Sequence, residues 1–135
     1  MTDSGKKFDR FIDIVRELRS KNGCPWDRKQ TPLSLKRYLL EETHELLEAI
    51  DAGDQQHVKE ELGDLLYLIV LLAQIHSEEN FFTISGVIED ISAKMIRRHP
   101  HVFNDEKIES VAQLRQKWLE IKEREKAART KPKKN

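Results

Sequence analysis

Apolar residues recur along this chain at spacings of three and four with polar residues between them, the period of a helix with one buried face. Phe8, Phe11, Ile12, Val15 and Leu18 form a first stripe, opened by Asp3 or Ser4 and closed at Asn22-Gly23. A second stripe, Leu35, Leu39, Leu46 and Ile50, follows Thr31-Pro32, an N-cap with proline at the first helical position. The third, Leu62, Leu65, Leu66, Ile69 and Leu72, belongs to a helix from about Gln55 to Glu79. Thr83 caps a fourth, with Ile84, Val87, Ile88, Ile91 and Met95 as its buried face, and Pro100 ends it. Ser110 caps a fifth, with Val111, Leu114, Trp118 and Ile121. Cys24-Pro25-Trp26-Asp27 reads as a rigid loop and Asn104 to Glu109 as a polar one. The pattern predicts an all-α fold, a bundle of about five helices.

The second and third helices are joined through Asp51-Ala52-Gly53-Asp54, a short turn with a glycine suited to the left-handed conformation, so they form an antiparallel hairpin. Residues equally far from the turn then lie at similar heights. Glu45 and Glu61 are each eight positions from Gly53, and Glu42 and Asp64 are each eleven. Within each helix the two acids are three apart, on one face and separated by about 4.5 Å of rise. Both pairs fall inside the apolar periodicity, which predicts that they face inward. A single acid on a helix is ordinarily solvated or paired with Lys or Arg. Four clustered carboxylates partly removed from water cannot all stay ionised without a cation. All-oxygen ligands suit Mg²⁺ first and Mn²⁺ second.

Composition narrows the classes. With 24 Lys+Arg against 24 Asp+Glu the chain has no net charge, which speaks against a general nucleic-acid binder. The acids gather between Glu41 and Asp64, while the end from Lys122 onward is basic. A length of 135 residues predicts one domain, over 1–126, followed by a basic, disordered tail over 127–135. One cysteine, Cys24, excludes an internal disulfide and a cysteine zinc site. The N-terminus lacks a signal-peptide apolar core, and the longest apolar run, Leu65 to Ala73, is too short to span a bilayer. A cytoplasmic location is expected.

Other residues carry two readings each. Lys94 and Arg98, four apart, are either partners for the helix dipole or a clamp for phosphate oxygens. Trp26 either stacks on a base beside the acidic site or plugs the end of the bundle. Trp118 is core by its spacing, with Lys122 one turn beyond on the same side.

Taken together, these blocks resemble the MazG family of all-α nucleoside triphosphate pyrophosphohydrolases. The family's metal motif, E-x-x-E preceded by a further Glu and followed after a gap by E-x-x-D, stands here as Glu41-Glu42-Thr43-His44-Glu45 and Glu61-Leu62-Gly63-Asp64. Around it lie Gly23-Cys24-Pro25-Trp26-Asp27 with Gln30-Thr31, then Arg97-Arg98-His99-Pro100-His101-Val102-Phe103, then Trp118 with Ile121-Lys122. The resemblance covers about Phe8 to Lys126. It implies hydrolysis of a nucleoside triphosphate to a monophosphate and pyrophosphate, with Mg²⁺ on Glu42, Glu45, Glu61 and Asp64. Glu41 would join the metal cluster or handle the attacking water. It further implies Lys94, Arg98 and Lys122 on the phosphates, Trp118 near the substrate, and association as dimers or tetramers. For the dimer face, Tyr67, Leu68 and Leu71 are the residues expected.

Two other functions compete. A di-iron carboxylate site is prompted by Glu41 and His44, three apart, but needs a second E-x-x-H that the facing helix does not supply. A non-enzymatic interaction module would use the basic tail, with Lys131, Lys133 and Lys134, to hold nucleic acid or an acidic partner. That reading leaves the four matched acids without a role.

Overall fold

The computed structural model describes residues 1–130, with the backbone alone at Thr130. It contains α1 (Asp3–Leu18), α2 (Pro25–Lys29), α3 (Pro32–Ala52), α4 (Gln55–Glu78), α5 (Ile84–Arg98), α6 (Pro100–Phe103) and α7 (Val111–Thr130), with no strand among the described residues. The five long helices are the predicted ones. The expected domain limit at 126 falls inside α7, and residues 131–135 of the expected tail, with Lys131, Lys133 and Lys134, lie outside the described residues.

The helix ends show why the chain folds locally as it does. α1 opens earlier than predicted, on Thr2, whose Oγ1 accepts the Gly5 N–H at 3.1 Å, and it stops at Leu18 rather than at Asn22-Gly23. Gly23 then turns so close to the last carbonyls of α1 that a Cβ would collide with the Leu18 oxygen. The expected rigid loop is instead helix α2, with Pro25 in its first turn. Its open end is held from outside: Arg19 Nη1 donates to the carbonyls of Asp27, Arg28 and Gln30 at 2.6, 3.1 and 3.1 Å. The same guanidinium grips Glu78 at the end of α4 through Nε and Nη2 at 3.1 and 2.6 Å. α3 starts in a reciprocal box in which Thr31 Oγ1 accepts from Ser34 N and Ser34 Oγ accepts from Thr31 N. It ends at Gly53, whose φ of 68° a side chain with Cβ adopts only under strain. Asp54 follows at once and caps α4, its Oδ1 accepting the His57 N–H at 3.2 Å.

The chain divides into two compact units within α5, one over Met1–Val87 and one from Ile88 onward. In the first, α3 and α4 pack along one another and α1 packs on α4. Val15, Leu35, Leu68, Val70, Leu71 and Ile75 are buried there, flanked by Phe8, Phe11, Tyr38, Leu39 and Tyr67. Leu68 and Leu71 therefore belong to the core and are not the free flank expected for a dimer. The predicted stripe of α4 is also displaced: Leu62, Leu66 and Ile69 are exposed, as is Ile50 on α3, where Ala49 is buried instead. Between Leu65 and Ala73 α4 is apolar on nearly every side, so periodicity alone does not choose its buried face.

In the second unit α5 ends against α7. Trp118 Nε1 donates to the Arg98 carbonyl at 2.6 Å, and Arg98 Nε and Nη2 donate to the two carboxylate oxygens of Glu125 at 3.0 and 3.3 Å. Leu114, Trp118 and Ile121 are half-buried, but Val111 is exposed. So are Ile88, Ile91 and Met95, contrary to the buried face predicted for α5. No helix among the described residues is long and apolar enough to cross a membrane.

Candidate metal centre

The turn at Gly53 brings α3 and α4 back along each other with matched heights, and the four acids counted outward from it meet. Glu42, Glu45, Glu61 and Asp64 each offer a carboxylate oxygen, and these atoms all lie within 4.8 Å of one another. Two helices joined by so short a turn can place these residues together only by running antiparallel. The predicted inward orientation holds unevenly. Glu61 is buried, at 5% exposure, and Glu42 is half-buried, whereas Glu45 and Asp64 are exposed in the single chain.

The electrostatics follow from that arrangement. Glu42 is pushed up to about 7, first by burial, then by its hydrogen-bonding position against Glu61 and by the charges of Glu45, Asp64 and Glu61. Glu45 is raised, chiefly by Glu61, and Asp64 is raised by burial and then by Glu61 and Glu60. Burial acts upward on Glu61 as well, but its close neighbours Glu42, Glu45 and His57 outweigh it and hold this carboxyl below its ordinary value. One cluster thus contains a carboxylate kept ionised and neighbours that resist ionising. Its four groups compete to hold a proton or to shed charge onto a cation.

The donor set suits a divalent metal. It is all carboxylate oxygen, the ligand type of hard cations. Two of its oxygens, Glu42 Oε2 and Glu61 Oε2, are buried and have no hydrogen-bond partner. Orphaned buried acceptors are costly unless a cation or a proton answers them.

Other predicted residues sit elsewhere in the fold. Glu41 is exposed and is not among the four whose oxygens converge. His44, the prompt for a di-iron site, pairs with Glu48 at 3.0 Å on the exposed side of α3. Trp26 is half-buried, packs against the core and meets Tyr38 edge to face at 5.3 Å between ring centroids. Its neighbour Asp27 is buried and accepts a hydrogen bond from the Tyr67 hydroxyl, which pins α2 to α4 one turn beyond Asp64. Lys94, Arg98, Trp118 and Lys122 belong to the second unit. There, a cavity of about 590 Å³ is lined by Lys94, Arg97, Arg98, Arg124 and Arg129 together with Asp90 and Glu125. Arg98 first, then Arg97, holds Glu125 down to about 2. Trp118 also meets His99 edge to face at 5.5 Å.

Sequence reasoning missed three contributors. His57, four positions before Glu61 on α4, places its Nε2 3.1 Å from Glu61 Oε1. The spacing of four on one helix was the signal. The pairing of Asp27 with Tyr67 and the role of Arg19 join residues distant in the chain, and no local pattern announces them.

Comparison with known proteins places this geometry. Residues 30–103 match the model of the MazG nucleotide pyrophosphohydrolase domain. An uncharacterised protein of Bacillus subtilis, YabN, is 54% identical over 89% of this chain and 24% of its own length. The nucleoside triphosphate pyrophosphohydrolase/pyrophosphatase MazG of Thermotoga maritima is 49% identical over 93% of this chain and 48% of its own length. A nucleoside triphosphate pyrophosphohydrolase of Escherichia coli K12 is 43% identical over 90% of this chain and 46% of its own length. The chain thus spans about half or less of the curated relatives it matches. The crystal structure of a mazG-related protein from Thermotoga maritima superimposes with a TM-score of 0.71 at 31% identity, covering 85% of this chain and 98% of that one. With the family model matched across more than half its length and a solved relative matched almost end to end, this chain belongs to the MazG nucleotide pyrophosphohydrolase family.

Proposed function

We propose that this chain hydrolyses nucleoside triphosphates at the α–β phosphoanhydride, releasing a nucleoside monophosphate and pyrophosphate, with Mg²⁺ as its metal and Mn²⁺ as a substitute. One observation carries the reading: in a chain of this family, four carboxylates from two helices converge within 4.8 Å. The Thermotoga and E. coli relatives named for this activity support the reaction class.

Glu42, Glu45, Glu61 and Asp64 hold the metal. When bound, it polarises phosphate oxygens and offsets their charge. Glu41, four positions before Glu45 on α3, orients the attacking water or takes its proton. The water oxygen forms a new bond to phosphorus, the bridging bond between the α and β phosphates breaks, and pyrophosphate leaves with the electron pair. No covalent intermediate is needed. Lys94, Arg98 and Lys122 bind phosphate oxygens and Trp118 lies near the nucleotide. For Lys94 and Arg98, the surplus of cations around the cavity of the second unit supports that role. Arg98 uses Nε and Nη2 on Glu125, which leaves its Nη1 for a phosphate. For Trp26, the packing against Tyr38 supports the covering role over base stacking. Removal of noncanonical nucleotides from the cytoplasmic pool is the role such chemistry fits.

A homodimer or larger homo-oligomer completes the proposal. α3 leaves Leu40, Leu47 and Ile50 exposed, and α4 leaves Leu62, Leu66 and Ile69 exposed, each set along one side of its helix. These replace Tyr67, Leu68 and Leu71 as the association face.

The test is incubation with a panel of canonical and modified ribo- and deoxyribonucleoside triphosphates, with Mg²⁺ or with chelator, and separation of products by ion exchange. Metal-dependent monophosphate plus pyrophosphate supports the proposal. Release of single phosphate, or no turnover on any nucleotide, overturns it.

A further inference from the structure

α4 begins with a short relay of side chains that ends on its metal-ligand candidate. Asp54 caps the helix by accepting the His57 N–H, and one turn later Glu61 Oε1 lies 3.1 Å from His57 Nε2. An ionised carboxylate can only accept, so Nε2 carries the hydrogen in this contact. Glu61 is the most buried member of the acidic cluster, its side chain 6% exposed against 44% for His57. With Oε1 taken, Oε2 is the oxygen left buried without a partner, as Glu42 Oε2 is.

Histidine–glutamate pairs four apart are common on helix surfaces, and the chain contains one for comparison. His44 Nε2 lies 3.0 Å from Glu48 Oε1, with both side chains open to water at 72% and 65% exposure. There the solvent can replace either partner. At His57 the carboxylate is buried and water cannot easily substitute.

We propose that His57 is a positioning residue: by donating from Nε2 to Glu61 Oε1, it fixes the carboxylate so that Oε2 is the oxygen presented to a divalent cation. The inference rests on the reading of the four carboxylates as a metal site. His57 itself touches neither metal nor substrate. Partners that orient a ligand in this way typically change metal affinity by about 10- to 100-fold when removed.

The experiment is Mn²⁺ binding to the full chain without nucleotide, read from the electron paramagnetic resonance of free Mn²⁺, with circular dichroism as a fold control. His57→Ala is expected to weaken Mn²⁺ binding by about tenfold or more. His57→Gln, whose amide N–H can reach a carboxylate one turn on, should recover most of that loss, and His44→Ala should bind as the wild type does. In turnover, His57→Ala should raise the half-saturating Mg²⁺ concentration while the nucleotide KM at saturating Mg²⁺ stays unchanged. Folded His57→Ala binding Mn²⁺ within about twofold of the wild type, or His57→Gln as weak as alanine, overturns the inference and leaves the metal site standing. A wild-type chain that binds no Mn²⁺ removes both.

Discussion

At the scale of single residues, the informative groups are those whose environment contradicts their ordinary chemistry. Glu42 is the clearest. With burial and three neighbouring acids pushing it up to about 7, the metal-free protein holds a proton there through mildly acidic conditions. A ligand must be ionised, so below that value a cation has to displace the proton, and above it there is none to displace. Apparent Mn²⁺ affinity should therefore be nearly flat above pH 8 and fall about tenfold per pH unit well below 7. Calorimetric titrations at pH 5, 6 and 8 check this; an affinity that does not change across them would show that Glu42 carries no proton the metal must remove. The positions of the four acids were legible because distance from a turn is written in the sequence. Their exposure was not, since periodicity names a face without naming what covers it. Glu45 and Asp64 lie on the predicted face and remain open to solvent in the single chain. His57 escaped notice because a histidine in a first helical turn has many ordinary roles.

At the scale of elements, the long helices were legible through their ends. Thr31 with Pro32, Gly53 with Asp54, and Ser110 are start and stop signals whose hydrogen bonds all appear, the last as Ser110 Oγ accepting from Gln113 N. α2 and α6 were missed because helices of five and four residues have no periodicity to read, and α2 depends on Arg19 from another element. The turn at Gly53 sets the register of the whole cluster, so its tolerance to change can be forecast. A Cβ there would meet nothing within 4 Å, and only the φ of 68° opposes it. Gly53→Ala should cost about 1–2 kcal/mol of stability, the penalty for a left-handed residue, and Gly53→Asn less. Thermal unfolding of the three proteins measures it; a Gly53→Ala variant as stable as the wild type would mean that the turn relaxes to another conformation.

At the scale of the whole molecule, the exposed apolar residues gain meaning. Leu40, Leu47, Leu62, Leu66 and Ile69 are left uncovered by the chain's own packing. A second copy covering them would remove this apolar surface from water. Sedimentation should find the chain as a dimer or larger species, and Leu47→Glu with Ile69→Glu should convert it to a folded monomer; a wild-type monomer at micromolar concentration would refute the association. Which faces of α4 and α5 are buried was hidden from the sequence for this reason, since apolar positions on several sides serve more than one packing partner.

The account as a whole stands on the four carboxylates performing the proposed pyrophosphohydrolysis, and Glu61 is the most buried of them. The most direct measurement is pyrophosphate release by Glu61→Gln at saturating Mg²⁺, beside the wild type and with circular dichroism confirming the fold. The substitution keeps the shape and removes the charge. The account predicts a loss of about 100-fold or more in kcat with the helical content unchanged; a folded Glu61→Gln protein turning over at the wild-type rate would contradict it.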